Sequence, residues 1–193
     1  MKNLFKLILL LLLSIPSLCQ PSQNISNKSK VFELFSIGDS IQKFNNSLSC
    51  GHHSTDLEIV DLSGRLYCKV FQYLPAIKDS VDVGGVKFSN VLLFPDSLKF
   101  LTAVEFNKIY LNTDTSINPE IIAQKDYSIL EEFISSFLQL KGKQYKEDHK
   151  KGEPFSGLIW IKDGNKYLLR KQDLAKRKKN VSQILTFDIS KSH

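Results

Sequence analysis

Cys50, His52, His53, Asp56 and Cys68 gather the side chains that bind metals into one short stretch. A zinc site needs four such ligands in a tetrahedral array. Adjacent His52 and His53 would point to opposite sides of an extended chain, and two cysteines in an oxidising compartment pair with each other instead. No metal is expected. Glu131 and Glu132 are neighbours on a helix and do not face each other. They read as charges beside a helix N-terminus, not as a glycosidase pair across a cleft. The serines lack a Gly-x-Ser-x-Gly elbow or a Ser-x-x-Lys at a helix start. His149, among Lys146, Lys150 and Lys151, sits in a solvated setting. Gly84-Gly85 begins a strand instead of ending one, so it is no phosphate cradle. No catalytic residue and no cofactor are expected.

The densest charge is basic. Arg170, Lys171, Lys176, Arg177, Lys178 and Lys179 run together with Asp173 as the one acid between them. The run falls between two expected strands, which predicts an exposed loop. Six cations on one loop would grip a phosphate or carboxylate surface; the plainer reading is a hydrated loop. The imbalance is wider than this run. Residues 20–140 hold ten Lys/Arg and fourteen Asp/Glu, a net −4, and residues 141–193 hold fourteen and six, a net +8. The expected partner is a protein or an anionic envelope surface.

The compartment follows from the first residues. Lys2 and Lys6 precede an apolar run from Leu7 to Leu13, and Ser14, Pro16 and Ser17 end it. This is the plan of a secretory signal peptide, too short for the roughly 20 residues of a membrane span. Ser17 and Cys19 suit the −3 and −1 positions of a cleavage site, so the mature chain is expected to start at Gln20 with no transmembrane segment. Acylation of Cys19 is the alternative, and Leu18 argues against it. Export also argues against a nucleic-acid partner and predicts a periplasmic or secreted protein. In that compartment Cys50 and Cys68 are expected to form a disulfide. It would close a loop of about 18 residues, worth roughly 3 kcal/mol in the chain-entropy model.

The elements that must position these residues are readable from periodicity. Residues 20–35 are expected to be a flexible lead-in, and 36–193 one α+β domain. Ile37, Ile41, Phe44 and Leu48 lie at helical spacing, with Asp39 as cap and Gly51 as stop, which predicts a helix over 39–49. A strand is expected over 66–73. Val86, Phe88, Leu92 and Phe94 form another strand, interrupted at Asn90, and Phe100, Val104, Phe106 and Tyr110 form its hairpin partner across Pro95-Asp96-Ser97. Residues 111–125 read as a loop. Ile129, Leu130, Phe133, Ile134, Phe137 and Leu138 make a helix over 127–140, with Ser128 and Glu131 as a capping box. Asp163-Gly164 joins Leu158–Ile161 to Tyr167–Leu169 as a hairpin, and Leu185, Phe187 and Ile189 form a last strand. Trp160, between Ile159 and Ile161, is expected in the core.

The order, helix then about three strands, twice over, predicts two helix-plus-meander units (36–112 and 125–190) in an antiparallel sheet with the helices on one face. The Ser36-Ile37-Gly38-Asp39-Ser40 entry into a helix followed by a meander resembles small envelope domains of the SmpA/OmlA (BamE) kind. The segment from Val86 to Phe106, with its Phe94-Pro95-Asp96 strand end, is similar to many exported proteins. The doubled form resembles the β-lactamase-inhibitory-protein architecture. The resemblance is one of element order. It implies a binding or assembly role without catalysis, with the partner surface on the sheet face away from the helices or on the 170–179 loop. A small hydrolase or ligand-binding protein is the alternative, which a deep pocket of convergent polar groups would favour.

Overall fold

Apolar and polar residues alternate along most segments after residue 80, and an alternating strand buries one side. The computed structural model describes residues 30–44, 47–50, 58–60, 66–68, 70–111, 118–147, 155–173 and 181–192. A short helix α1 (Lys30–Leu34) and a 3-10 turn (Ile41–Phe44) lead into β1 (Leu48–Cys50), β2 (Glu58–Val60), β3 (Leu66–Cys68) and β4 (Phe71–Tyr73). Helix α2 (Leu74–Asp79) is followed by β5 (Val81–Val83), β6 (Val86–Phe88), β7 (Asn90–Pro95) and β8 (Leu101–Leu111). The long helix α3 (Pro119–Leu138) then precedes β9 (Lys143–Glu147), β10 (Phe155–Lys162), β11 (Asn165–Asp173) and β12 (Val181–Lys191).

Eight of the strands form one antiparallel sheet in the order β1-β4-β7-β8-β12-β11-β10-β9. The mixed α+β class and the antiparallel sheet are as the sequence predicts. The expected division into two small units is corrected: the pairing of β8 with β12 runs from Val181↔Leu111 to Ser190↔Ala103 and fuses both meanders into one continuous sheet. β2–β3 and β5–β6 are separate two-stranded ribbons.

One face of this sheet carries the core. Val104, Phe106, Leu169, Leu185, Phe187 and Trp160 are buried there with Ala123, Leu130, Ile134 and Leu138 of α3. Each large side chain contributes roughly 1.5–3 kcal/mol of burial. Trp160 is 2% exposed and its Nε1–H donates to Ser135 Oγ at 3.3 Å. Asp126 ties the other end of α3 to β8, accepting from Lys108 Nζ at 2.6 Å and from the Tyr110 hydroxyl at 2.7 Å. Phe35 of the N-terminal segment, Ala76 of α2 and Val83, Val86 and Phe88 of the β5–β6 hairpin join the same cluster. Phe32 of α1 stacks on Phe137 of α3 with ring centroids 4.2 Å apart. Among the described residues, all three helices and the β5–β6 ribbon thus sit on one side of the sheet.

Several local expectations are corrected. The helix over 39–49 is a single 3-10 turn followed by strand β1. Ile41 and Phe44 are buried as their spacing predicts, but the backbone is pulled away from helix by pairing with the β7–β8 connection. Gly38 N–H donates to Leu101 O and Ile41 N–H to Lys99 O, each at 2.8 Å. Asp39 pairs with Lys43 at 2.7 Å instead of capping a helix. The lead-in of 20–35 contains α1, and residues 20–29 lie outside the described residues. The strand over 66–73 is divided between β3 and β4, which belong to different sheets. Asn90 ends one hairpin and starts the next: Val86–Phe88 pairs back on β5, and Asn90–Pro95 pairs forward on β8. Gly84, at φ +63°, sits in the turn of the first of these hairpins. Helix α3 starts at Pro119, with Asn118 Oδ1 accepting from Glu120 N–H at 2.9 Å as its cap. The Ser128–Glu131 box and the N-terminal placement of Glu131 and Glu132 are therefore corrected: both glutamates lie well inside the helix.

Candidate functional site

Strand alternation fixes what lies on the other face. In antiparallel pairing, directly opposed residues project to the same side. Phe106 and Phe187 are opposed and lie in the core, so their neighbours Glu105 and Asp188, also opposed, project to the open face. Two rows of opposed residues cross the middle of that face. One runs Leu168, Asp188, Glu105, Leu92 from β11 to β7; the next runs Arg170, Thr186, Asn107, Asn90. Leu92 and Leu168, each 6% exposed, are buried apart from the core cluster.

The two rows are knitted by polar contacts. Arg170 Nη2 donates to Asp188 Oδ2 at 2.6 Å and lies 3.7 Å from Glu105 Oε2. Asn107 Nδ2 donates to Glu105 Oε1 at 2.5 Å, and Thr186 Oγ1 donates to Asn107 Oδ1 at 2.9 Å. Further along, Gln72 Nε2 donates to Asn90 Oδ1 at 3.3 Å. Asn90, Glu105, Asn107, Arg170 and Thr186 line a depression of about 290 Å³, completed by Gln172, Ile109 and Ile184. Ile109 is 51% exposed at its edge.

The electrostatics are set by two carboxyls sharing one guanidinium. Burial pushes the Asp188 carboxyl up to about 7, Arg170 opposes the shift, and the Glu105 charge adds to it. A carboxyl so poised can donate a hydrogen bond or exchange a proton near neutrality. Asp188 and Glu105 are directly opposed and lean on the same guanidinium, so they do not flank a gap as the carboxyls of a glycosidase do. The arrangement suits anchoring a polar or charged group at the centre of an otherwise mixed surface.

The expected basic loop is placed differently. β11 continues to Asp173, so Arg170 and Lys171 lie within a strand and point to opposite faces. Arg170 belongs to the acidic pair. Lys171 Nζ reaches Gln124 Oε1 of α3 at 2.5 Å. These two cannot grip one anion together. Lys176, Arg177, Lys178 and Lys179 lie outside the described residues, as do His52, His53, Asp56 and His149. Cys50 stands opposite Phe71 in the β1–β4 pairing of the main sheet and Cys68 opposite Glu58 in the separate β2–β3 ribbon; the two are not within disulfide distance, so the expected disulfide is not seen. Among the described residues, no three His, Cys, Asp or Glu side chains converge as a metal site.

Glu105 and Asp188 escape sequence reasoning. Each is a charged residue in mid-strand, between Val104 and Phe106 or between Phe187 and Ile189. That signal marks an outward position and says nothing of a partner across the sheet. No family model, curated protein or solved structure matches the chain. Among the described residues, no helix is long and apolar enough to cross a membrane.

Proposed function

We propose that this chain is an exported, non-catalytic binding or assembly protein of the cell envelope or extracellular space, and that it engages its partner with the open sheet face. The observation that carries this reading is the asymmetry of the sheet. Among the described residues, the helices all pack on one side, while the other side presents Arg170 and Glu105 in a depression edged by exposed Ile109, with Asp188 paired to Arg170 beside it. A guanidinium and carboxylates on an otherwise uncovered face are groups that select a partner by complementary charge. The leader at 1–19, a mature start at Gln20 and a Cys50–Cys68 disulfide belong to the same proposal, supported by the residue pattern and by the compartment it implies.

The test is capture from the native host's envelope fraction with mature protein and with an Ile109→Lys variant, which alters an exposed side chain. One discrete partner held by the first and lost by the second supports the reading. Equal capture by both moves the surface elsewhere.

A second reading, a small-ligand site or a hydrolase, is favoured by one feature: a carboxyl raised to about 7 among convergent polar groups. At about 290 Å³ the depression is at the lower end of small-molecule pockets. It accommodates a small polar ligand or a single side chain of a partner.

A further inference from the structure

The eight-stranded sheet ends in two different ways. At one end β1 offers three residues. At the other, β9 offers five, from Lys143 to Glu147. β9 pairs with β10 on its inner side, from Ile159↔Lys143 to Phe155↔Glu147. Among the described residues nothing pairs with its outer side. The backbone donors and acceptors directed outward there form a template for another strand.

That template is held in place from below. Gly142, just ahead of β9, packs so closely on the indole of Trp160 that a Cβ there would lie 2.6 Å from Cζ2. Trp160 is in turn fixed in the core. The start of the edge strand is therefore anchored, and a partner strand meets a surface already in extended form.

The side chains decide which strand is admitted. Lys141, Lys143, Gln144 and Lys146 are exposed, and none of the ion pairs among the described residues uses these lysines. A second copy laid parallel and in register would bring lysines against lysines, and like charges opposed across strands are unfavourable; laid antiparallel and centred on Tyr145 it would set only Lys143 against the carboxylate of Glu147, leaving Lys141 and Lys146 without an opposed acid. Lysines on an edge are a known block to self-pairing. The same charges favour a strand with carboxylates at matching positions, so that attraction for one partner and repulsion of another arise from the same residues.

We propose that the outer edge of β9 receives an extended acidic segment of a partner protein as an added antiparallel strand. Backbone hydrogen bonds supply the binding and Lys141, Lys143 and Lys146 select the charge, a mode of recognition in which alternate side chains set specificity. The β9 edge is separate from the Arg170 depression, so this proposal stands or falls independently of the open-face reading.

The test uses the mature protein and three probes: a synthetic hexapeptide alternating glutamate with valine, the same peptide N-methylated at alternate amides, and vesicles of anionic phospholipid. Affinity is read by titration calorimetry and location by amide hydrogen exchange. The expected result is binding of the acidic peptide with slowed exchange of β9 amides. N-methylation lowers affinity at least tenfold on the register that faces β9, and Lys143→Glu with Lys146→Glu lowers it at least tenfold with the fold intact by circular dichroism. Equal binding of the N-methylated peptide in either register overturns the proposal, since ion pairing alone then explains the affinity. It is also overturned by absence of peptide binding, or by vesicle binding that the double variant abolishes while the peptide fails to bind.

Discussion

Glu105 and Asp188 are directly opposed across the β8–β12 pairing, and Arg170 from the next strand reaches both, at 3.7 Å and 2.6 Å. The pair lies on the seam that joins the two meanders into one sheet. Whatever charge state it adopts is felt by the central strands.

The first consequence is a pH dependence of stability. Burial, reinforced by the Glu105 charge and opposed by Arg170, holds Asp188 up at about 7 in the folded protein, against about 3.9 in an unfolded chain. The folded state therefore binds this proton more tightly. The stabilisation is complete below about pH 4 and is lost as pH rises through about 7. Asp188→Asn is expected to raise the urea midpoint relative to wild type at pH 8 and to flatten its fall between pH 5 and 8. Equilibrium unfolding at three pH values checks this; an Asn variant with the wild-type slope would remove Asp188 as its source.

Removing the cation has the opposite effect. Arg170 is 22% exposed and faces Glu105 and Asp188, at 21% and 15%. Arg170→Met leaves two carboxyls together without compensation and is expected to cost about 3 kcal/mol at pH 8, less at pH 5, where Asp188 holds a proton. Adding Glu105→Gln should recover part of that loss. The double-mutant cycle in urea gives the coupling.

Gly84 tests the packing of the β5–β6 turn on α3. Its φ is +63°, and an added Cβ would overlap the Phe133 ring at Cγ. Gly84→Ala combines left-handed strain with overpacking and should cost about 2–3 kcal/mol. Gly164, at φ +74° with nothing near its missing Cβ, should lose only about 1 kcal/mol as alanine. Comparing the two melting shifts separates strain from collision.

The proposed Cys50–Cys68 disulfide, which rests on the proposed compartment and not on the described strand pairing, gives a redox prediction. Mature protein from the native compartment should show no reactive thiol before reduction and two after it. Reduction should lower stability by roughly 3 kcal/mol. Two free thiols in the isolated protein would remove the disulfide from the account.

The strands were most legible where turn chemistry and alternation agreed. Asp163-Gly164 takes positive φ at both residues, 51° and 74°, the twist a two-residue hairpin requires. Pro95-Asp96 likewise marks the β7–β8 turn, where Asp96 Oδ1 accepts from the Leu98 and Phe100 amides. Ile37-Ile41-Phe44-Leu48 misled because helical spacing was right for one turn only, and long-range pairing with Lys99 and Leu101 decided the rest. The signal for α3 was present in Asn118-Pro119, a cap followed by proline at the first helical position, but polar neighbours made it read as loop. β9 has no apolar alternation because an edge strand rich in lysine buries little. The Glu105–Asp188–Arg170 site depends on three strands meeting in register, and register between distant strands is a property of the fold.

The most direct test of the open-face account is photo-crosslinking. A photoreactive side chain is placed at Ile109 or Gln172 on the open face, or at Ile121, 67% exposed on α3. The mature protein is then irradiated in the envelope fraction of its host. The account predicts one discrete crosslinked partner from positions 109 and 172 and none from 121. The same crosslink from position 121 alone, or from all three positions alike, would contradict it.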